Sequence, residues 1–77
     1  MKATIIVTLK PTVLDPQGMT IHRSLASLGL NDITDVRQGK IFHVQLKDGN
    51  RDQVEKLARE VLTNLVIEEY RIIWEQS

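Results

Sequence analysis

The 77-residue sequence contains no cysteine, only one tryptophan, one tyrosine and one phenylalanine, and no long hydrophobic run. The absence of cysteine excludes a disulfide framework, a thiolate nucleophile and a thiolate metal site. No apolar stretch approaches the roughly 20 residues that a membrane-spanning helix needs, and the N-terminus lacks the anatomy of a signal peptide. We therefore expect a cytoplasmic protein with no membrane contact.

An excess of charge of one sign is also missing, because Lys+Arg and Asp+Glu number 10 each. Proteins that bind nucleic acid gain most of their affinity by neutralising phosphates, which requires a basic excess or a basic stripe. A chain of this length forms at most one domain, and so small a domain buries only about 60% of the surface its unfolded chain exposes. We expect a single domain over residues 1–77 that binds no nucleic acid and gains stability from a partner.

The first third of the chain predicts a strand and a capped helix. Over residues 3–9, apolar and β-branched side chains alternate, which is typical of a strand with one buried face. Asp15 is a favourable N-cap and Pro16 suits the first helical position, whereas Gly29 suits the left-handed residue that follows a helix. These signals predict a helix over residues 16–28.

The middle of the chain allows two interpretations. Residues 33–37 and 40–46 have the composition of strands, and in the second segment Phe42 and Val44 alternate with polar residues. The two segments are either separate strands around a turn at Gly39 or one long strand with a bulge there.

The last third predicts a second helix and a final strand over residues 66–74. Asn50 is a plausible N-cap, and six apolar residues follow at the spacing of one helix face. They are Val54, Leu57, Ala58, Val61, Leu62 and Leu65. The order β-α-β-β-α-β is that of the split βαβ, ferredoxin-like fold, an α+β class in which two helices cover one face of an antiparallel sheet.

The other face of such a sheet stays open, yet apolar side chains alternate toward it. Ile6, Ile41 and Ile73 lie opposite the residues of the covered face. A bare apolar face normally marks an interaction surface. We therefore expect these three side chains at an interface between copies of the chain, in a homodimer or a homotetramer. Isoleucines scattered singly over the surface are the alternative.

The sequence offers no catalytic constellation. His22 and His43 are the only histidines, which is too few for a zinc site, and no glycine-rich phosphate loop is present. We expect no catalytic residue, no metal site and no cofactor on this chain. Arg37 and Lys40 place two cations beside a tight turn, which indicates either an anion contact at a subunit surface or a solvated turn.

Three blocks of sequence add a more specific signal. They are VTLKPTVLDPQG at residues 7–18, DVRQGK at residues 35–40 and NLVIEEY at residues 64–70. In this order and spacing they resemble PurS, the small subunit of bacterial and archaeal phosphoribosylformylglycinamidine (FGAM) synthase. The resemblance extends over essentially the whole chain.

The resemblance implies a non-catalytic subunit of an ATP- and glutamine-dependent C–N ligase in de novo purine biosynthesis. In such complexes a glutaminase, PurQ, releases ammonia, and a synthetase, PurL, uses ATP and Mg²⁺ to activate formylglycinamide ribonucleotide. PurS-like subunits bridge the two and assist ammonia transfer. The cofactors of the complex are thus implied to bind elsewhere than on this chain.

We predict that eight residues in two segments contact these partners, because loops on a rigid scaffold often carry recognition. They are Lys10, Pro11, Asp15, Gln17, Gly18, Arg37, Gly39 and Lys40. Two other classes remain open. One is a small-molecule-binding regulatory module of ACT-like topology, and the other is an RNA-binding domain, which the zero net charge argues against.

Overall fold

A computed structural model, which describes residues 1–75, contains three strands and two helices. Their order is β1 (Lys2–Leu9), α1 (Pro16–Leu25), β2 (Gly39–Gln45), α2 (Arg51–Leu57) and β3 (Glu68–Glu75). A 3₁₀ turn over Ala26–Leu28 extends α1, and a π-helical turn over Ala58–Leu62 extends α2. The strands form one antiparallel sheet with β1 between β2 and β3. This is the α+β class expected from the sequence.

The hydrophobic core lies between the central strand and α2. Its fully buried members are Ala3, Ile5 and Val7 of β1 with Val54 and Ala58. Ile5 lies opposite Phe42 on β2 and Ile72 on β3, so the three strands contribute to one layer. Burying a side chain of this size stabilises a fold by about 1.5–3 kcal/mol. The sheet and α2 together therefore form the stable part of the molecule, which we call the sheet layer.

The opposite face of the sheet carries the three isoleucines singled out from the sequence. Ile6 pairs directly with Ile41, and Ile73 lies one row away, across from Thr4. Ile41 is 57% exposed and Ile73 is 41% exposed. The predicted alternation is therefore present, and the role of these side chains in an oligomer stays a prediction.

The first helix is exposed over most of its surface. Within α1 only Gly18 is buried, whereas Ile21 is 41% and Leu28 69% exposed. The Cα radius of gyration is 15.9 Å, against about 11.5 Å for a compact domain of this length. Residues 16–38 thus form an extended arm beside the sheet layer, and we refer to them as the arm.

The predicted helix over residues 16–28 is confirmed, as are both of its ends. The Asp15 side chain accepts a hydrogen bond from the Gly18 N–H at 2.9 Å. At the other end Gly29 adopts φ 75°, and the Leu30 N–H donates to the Leu25 carbonyl at 3.1 Å. This is the hydrogen bond of a Schellman ending, for which glycine is preferred because it has no Cβ.

Residues 33–37 do not form a strand, so both interpretations of the middle segment are wrong in its first half. The second half of this segment does form a strand: β2 begins at Gly39, within one residue of the predicted start. The preceding backbone bonds to side chains instead of a neighbouring strand. The His22 ring bonds to the Ile33 carbonyl at 2.8 Å, and the Gln38 N–H donates to Asp15 at 2.7 Å.

The last strand begins two residues later than predicted, at Glu68. Asn64 turns the chain, because its carbonyl accepts hydrogen bonds from the N–H groups of both Ile67 and Glu68. Its side chain also accepts from the Val66 N–H at 3.1 Å. Such local bonds to asparagine compete with a sheet ladder even in a β-branched run.

The π-helical turn changes which side chains of the second helical segment face inward. Val61 and Leu65 were predicted to be core residues, but they are 72% and 47% exposed. A π turn spaces its hydrogen bonds five residues apart instead of four. Beyond Ala58, Leu62 packs partly buried against the core. Thr63, the extended residue that ends the segment, is buried, whereas Leu65 lies beyond the end of the segment. Within residues 1–75, no helix has the length and apolarity to cross a membrane.

Candidate functional site: a junction between the arm and the sheet

The candidate site lies where β1 ends, the arm begins and β2 starts. We define residues 10–18 and 37–40 as the junction. It includes every residue predicted from the sequence to contact a partner: Lys10, Pro11, Asp15, Gln17, Gly18, Arg37, Gly39 and Lys40. The fold thus brings together two segments that are distant in sequence, and their contact with partners remains a prediction.

Asp15 is the centre of the junction and is only 4% exposed. One carboxylate oxygen accepts from the Gly18 N–H at 2.9 Å, and the other accepts from the Gln38 N–H at 2.7 Å. The hydrogen bond from Gln38, that from Gly18 and the nearby Arg37 charge hold the pKa of this carboxyl below its ordinary value. A single charged side chain therefore caps α1 and also fixes the start of β2.

Gly18 allows the start of α1 to lie very close to the segment that leads into β2. A Cβ atom at this position would lie 2.1 Å from the Val36 carbonyl oxygen and 3.0 Å from an oxygen of Asp15. No side chain fits that space unless the backbone moves. The glycine is thus required by contact between two segments, since its own φ is not in the left-handed region.

Arg37 bonds to the main chain of the first segment. Its Nη2 atom donates to the Lys10 carbonyl at 3.0 Å and to the Val13 carbonyl at 2.9 Å. The Val13 N–H also donates to the Lys10 carbonyl at 2.9 Å. The guanidinium therefore closes the loop formed by residues 10–13.

A cleft of about 380 Å³ opens beside the junction and is floored by Val7 and Leu9. Most polar side chains that line the cleft pair with other groups of the same chain. The Lys40 Nζ lies 3.9 Å from a carboxylate oxygen of Glu68, and the Gln38 amide donates to the Gln17 side chain. The arrangement offers a shaped surface with internally bonded polar groups, in contrast to an acid–base pair or a nucleophile.

The histidines do not join the junction. His22 bonds to the Ile33 carbonyl, and the His43 ring lies 3.5 Å from the Thr4 hydroxyl on the open face of the sheet. Among residues 1–75, no group of three or more His, Asp or Glu side chains is placed to hold a metal ion.

Sequence reasoning found the Asp15 cap but missed its second role and the loop contact of Arg37. The cap follows from local chain geometry, so the residue type and the following proline reveal it. The bonds from Gln38 to Asp15 and from Arg37 to Val13 span 23 and 24 positions. No local signal could have found them, although the residues that make them all lie in the first two motif blocks.

Comparisons with known proteins agree on one family. The family model described as PurS, phosphoribosylformylglycinamidine (FGAM) synthase, matches residues 2–76. The PurS subunit of that synthase from Bacillus subtilis is 38% identical over 73 residues, which cover 91% of this chain and 87% of the relative. The subunit from Mycobacterium leprae is 40% identical over 77 residues, covering 99% and 98%.

Solved structures give the same answer. B. subtilis PurS in a C2 crystal form superposes with a TM-score of 0.88 at 35% identity, covering 97% of this chain and 98% of that one. A chain of the PurLQS structure from Thermotoga maritima superposes with a TM-score of 0.79 at 32% identity, covering 94% and 93%. This chain therefore belongs to the PurS family of phosphoribosylformylglycinamidine synthase.

Proposed function

We propose that this chain is the small, non-catalytic subunit of a glutamine-dependent FGAM synthase in de novo purine biosynthesis, with a PurQ-like glutaminase and a PurL-like synthetase as partners. The observation that carries the proposal is the family match over residues 2–76, and the likeness to PurLQS of T. maritima supports it. On this proposal ATP, Mg²⁺ and glutamine bind to the other subunits, and the complex works in the cytoplasm.

The chain acts in this proposal by bridging the two larger subunits and assisting ammonia transfer between them. Ammonia is useful to the synthetase only while it stays unprotonated and sequestered from water. A subunit that stabilises the docked arrangement shortens its exposure. The junction supports such a role, because its polar groups are bonded internally and present two loop segments on a rigid sheet.

We further assign the open sheet face and the arm to contacts between copies of the chain, in a homodimer or a homotetramer. The exposed isoleucines Ile41 and Ile73 support this for the sheet. The arm offers a second apolar surface. Its exposed side chains are Met19, Ile21, Leu28, Leu30 and Ile33. Several exposed apolar side chains on one element are typical of interaction sites.

The test is a reconstitution with the glutaminase and synthetase subunits of a PurS-containing FGAM synthase. Product formation is followed with glutamine and, in parallel, with ammonia as nitrogen donor. We expect the glutamine-dependent reaction to require this chain and the ammonia-dependent reaction to proceed without it. If neither reaction responds and no complex forms, the proposal is wrong. A thermal shift with amino acids or nucleotides alone would then favour the ACT-like module.

A further inference from the structure

We propose that Arg37 is a positioning residue, which holds residues 10–13 in the conformation that a partner subunit binds. The inference rests on the proposed function and explains how the loop at residues 10–13 is shaped for a partner. A single guanidinium nitrogen donates to two carbonyls of the loop, at 3.0 Å on Lys10 and 2.9 Å on Val13. The Nη2 atom of this exposed side chain is therefore engaged by carbonyls of its own chain.

The loop that Arg37 holds displays its side chains outward. Pro11 and Thr12 are exposed, and Leu14, next to the loop, is 67% exposed. Two main-chain bonds also restrain the loop, from the Val13 N–H to the Lys10 carbonyl and from the Lys10 N–H to the Ile67 carbonyl. Of these two bonds, only the first lies within the loop.

Loss of the guanidinium removes two of the three hydrogen bonds made by the Lys10 and Val13 carbonyls of the loop. A loop freed in this way samples more conformations, and a partner must order it on binding. Such ordering lowers affinity without removing any contact across the interface. The effect of Arg37 thus arises from pre-organisation.

Lys40 provides the matched comparison. It is the second residue of β2, three positions after Arg37, and carries the same charge, but its ion pair is with Glu68 at 3.9 Å. A partner that recognises positive charge would respond to the loss of either cation, and its response would weaken in salt. A partner that recognises the shape of the loop would respond to the loss of Arg37 at low and at high salt alike.

Asn50 controls for stability. Its side chain accepts from the Gln53 N–H at the start of α2, outside the junction. Removing this cap destabilises the domain without touching the loop. Arg37→Ala, Lys40→Ala and Asn50→Ala together separate the loss of a loop restraint from the loss of charge and from the loss of global stability.

The experiment titrates each variant into the glutaminase and synthetase subunits and measures the concentration that gives half-maximal glutamine-dependent turnover. For Arg37→Ala we expect a rise of roughly tenfold, equivalent to about 1.4 kcal/mol, with the same plateau and the same ratio to wild type at high salt. Exchange of the Val13 amide with deuterium, measured by NMR, should quicken in this variant alone. Asn50→Ala should stay within about twofold of wild type. Lys40→Ala, at a predicted partner contact, should weaken binding less than Arg37→Ala and should approach the wild-type value at high salt.

Three results would overturn the inference. In the first, Arg37→Ala titrates like wild type. In the second, Arg37→Ala and Lys40→Ala raise the half-maximal concentration equally, and high salt returns both to the wild-type value. Arg37 would then be a direct charge contact. In the third, the wild-type chain itself forms no complex, which overturns the proposed function and the inference with it.

Discussion

The sheet layer and the arm contain similar apolar side chains but differ in how far they bury them. Ile5 in β1 is fully buried, whereas Ile21 in α1 is 41% exposed. Both helices have a capped start and an apolar face, but α2 buries Val54 against the sheet while α1 buries only a glycine. Hydrophobic periodicity therefore predicts that a helix has an apolar face. It does not predict whether that face is buried within the same chain.

The junction is what connects these two regions. Its bonds run mainly from side chain to main chain, through Asp15 and Arg37, whereas the sheet layer is held by apolar burial. Buried apolar contacts are insensitive to pH and salt, but a charged cap is not. The two regions should consequently respond to different perturbations.

The largest effect is expected from truncating the core of the sheet layer. Ile5→Ala removes a fully buried side chain and should lower the free energy of unfolding by about 2–5 kcal/mol, because a cavity forms where the side chain was. Urea denaturation followed by circular dichroism measures this loss. Ile21→Ala in the arm is the matched control and should cost no more than about 0.5 kcal/mol at low protein concentration.

The same pair of variants distinguishes a free arm from one buried between copies. If the arm is covered on association, the cost of Ile21→Ala should grow as protein concentration rises, while that of Ile5→Ala stays large throughout. An equal, concentration-independent cost for both variants would show that α1 belongs to the core of the monomer.

The next largest effect is expected at the contact between the start of α1 and the residues that lead into β2. The added Cβ of Gly18→Ala would lie 2.1 Å from the Val36 carbonyl oxygen, so the segments must separate. We expect a loss of about 1–3 kcal/mol and faster deuterium exchange of the Gln38 amide, which bonds to Asp15.

Gly29→Asn is the control for Gly18→Ala. Gly29 adopts φ 75°, and a Cβ atom added there would meet no other atom within 4 Å. Asparagine tolerates the left-handed region better than most residues. This variant should cost much less and should leave exchange of the Gln38 amide unchanged. If both variants cost the same, the close approach at Gly18 is not what holds the arm.

A smaller, pH-dependent effect is expected for Asp15→Asn. The pKa of Asp15 is lowered in the folded chain, so the unfolded state binds more protons in the acid range. The stabilisation is present above about pH 4, the unfolded value, and is lost as pH falls through the folded pKa. Melting temperatures of wild type and variant should therefore converge on acidification and differ most at neutral pH, with a parallel offset at every pH arguing against this linkage.

Local sequence signals predicted the helices and their ends more reliably than they predicted which elements pack against one another. The Asp15 cap and the Gly29 ending depend on neighbours in sequence, and both predictions are confirmed. Residues 33–37 have strand composition, but they pair with neither edge of the sheet, and side chains of His22 and Asp15 bond to the flanking backbone at Ile33 and Gln38. Val61 was expected inside because its position follows a helical period, and the π-helical turn placed it outside. The predicted site was brought together by bonds between distant residues, which composition cannot reveal.

The smallest effect is expected from two surface ion pairs, one beside the junction and one on the second helical segment. Lys40 pairs with Glu68 at 3.9 Å beside the junction, and Lys56 pairs with Glu60 at 4.0 Å along the second helical segment. Exposed pairs contribute little because solvent and salt screen them, so each lysine-to-alanine variant should change the free energy of unfolding by less than about 0.5 kcal/mol. The Glu68 side chain is only 14% exposed, against 51% for Glu60, so any measurable difference should favour the pair at the junction. Urea denaturation at low and at high salt checks this order. A larger loss of unfolding free energy for Lys56→Ala would mean that the junction does not shield its charges. The contrast between the junction and the sheet layer would then not extend to their electrostatics.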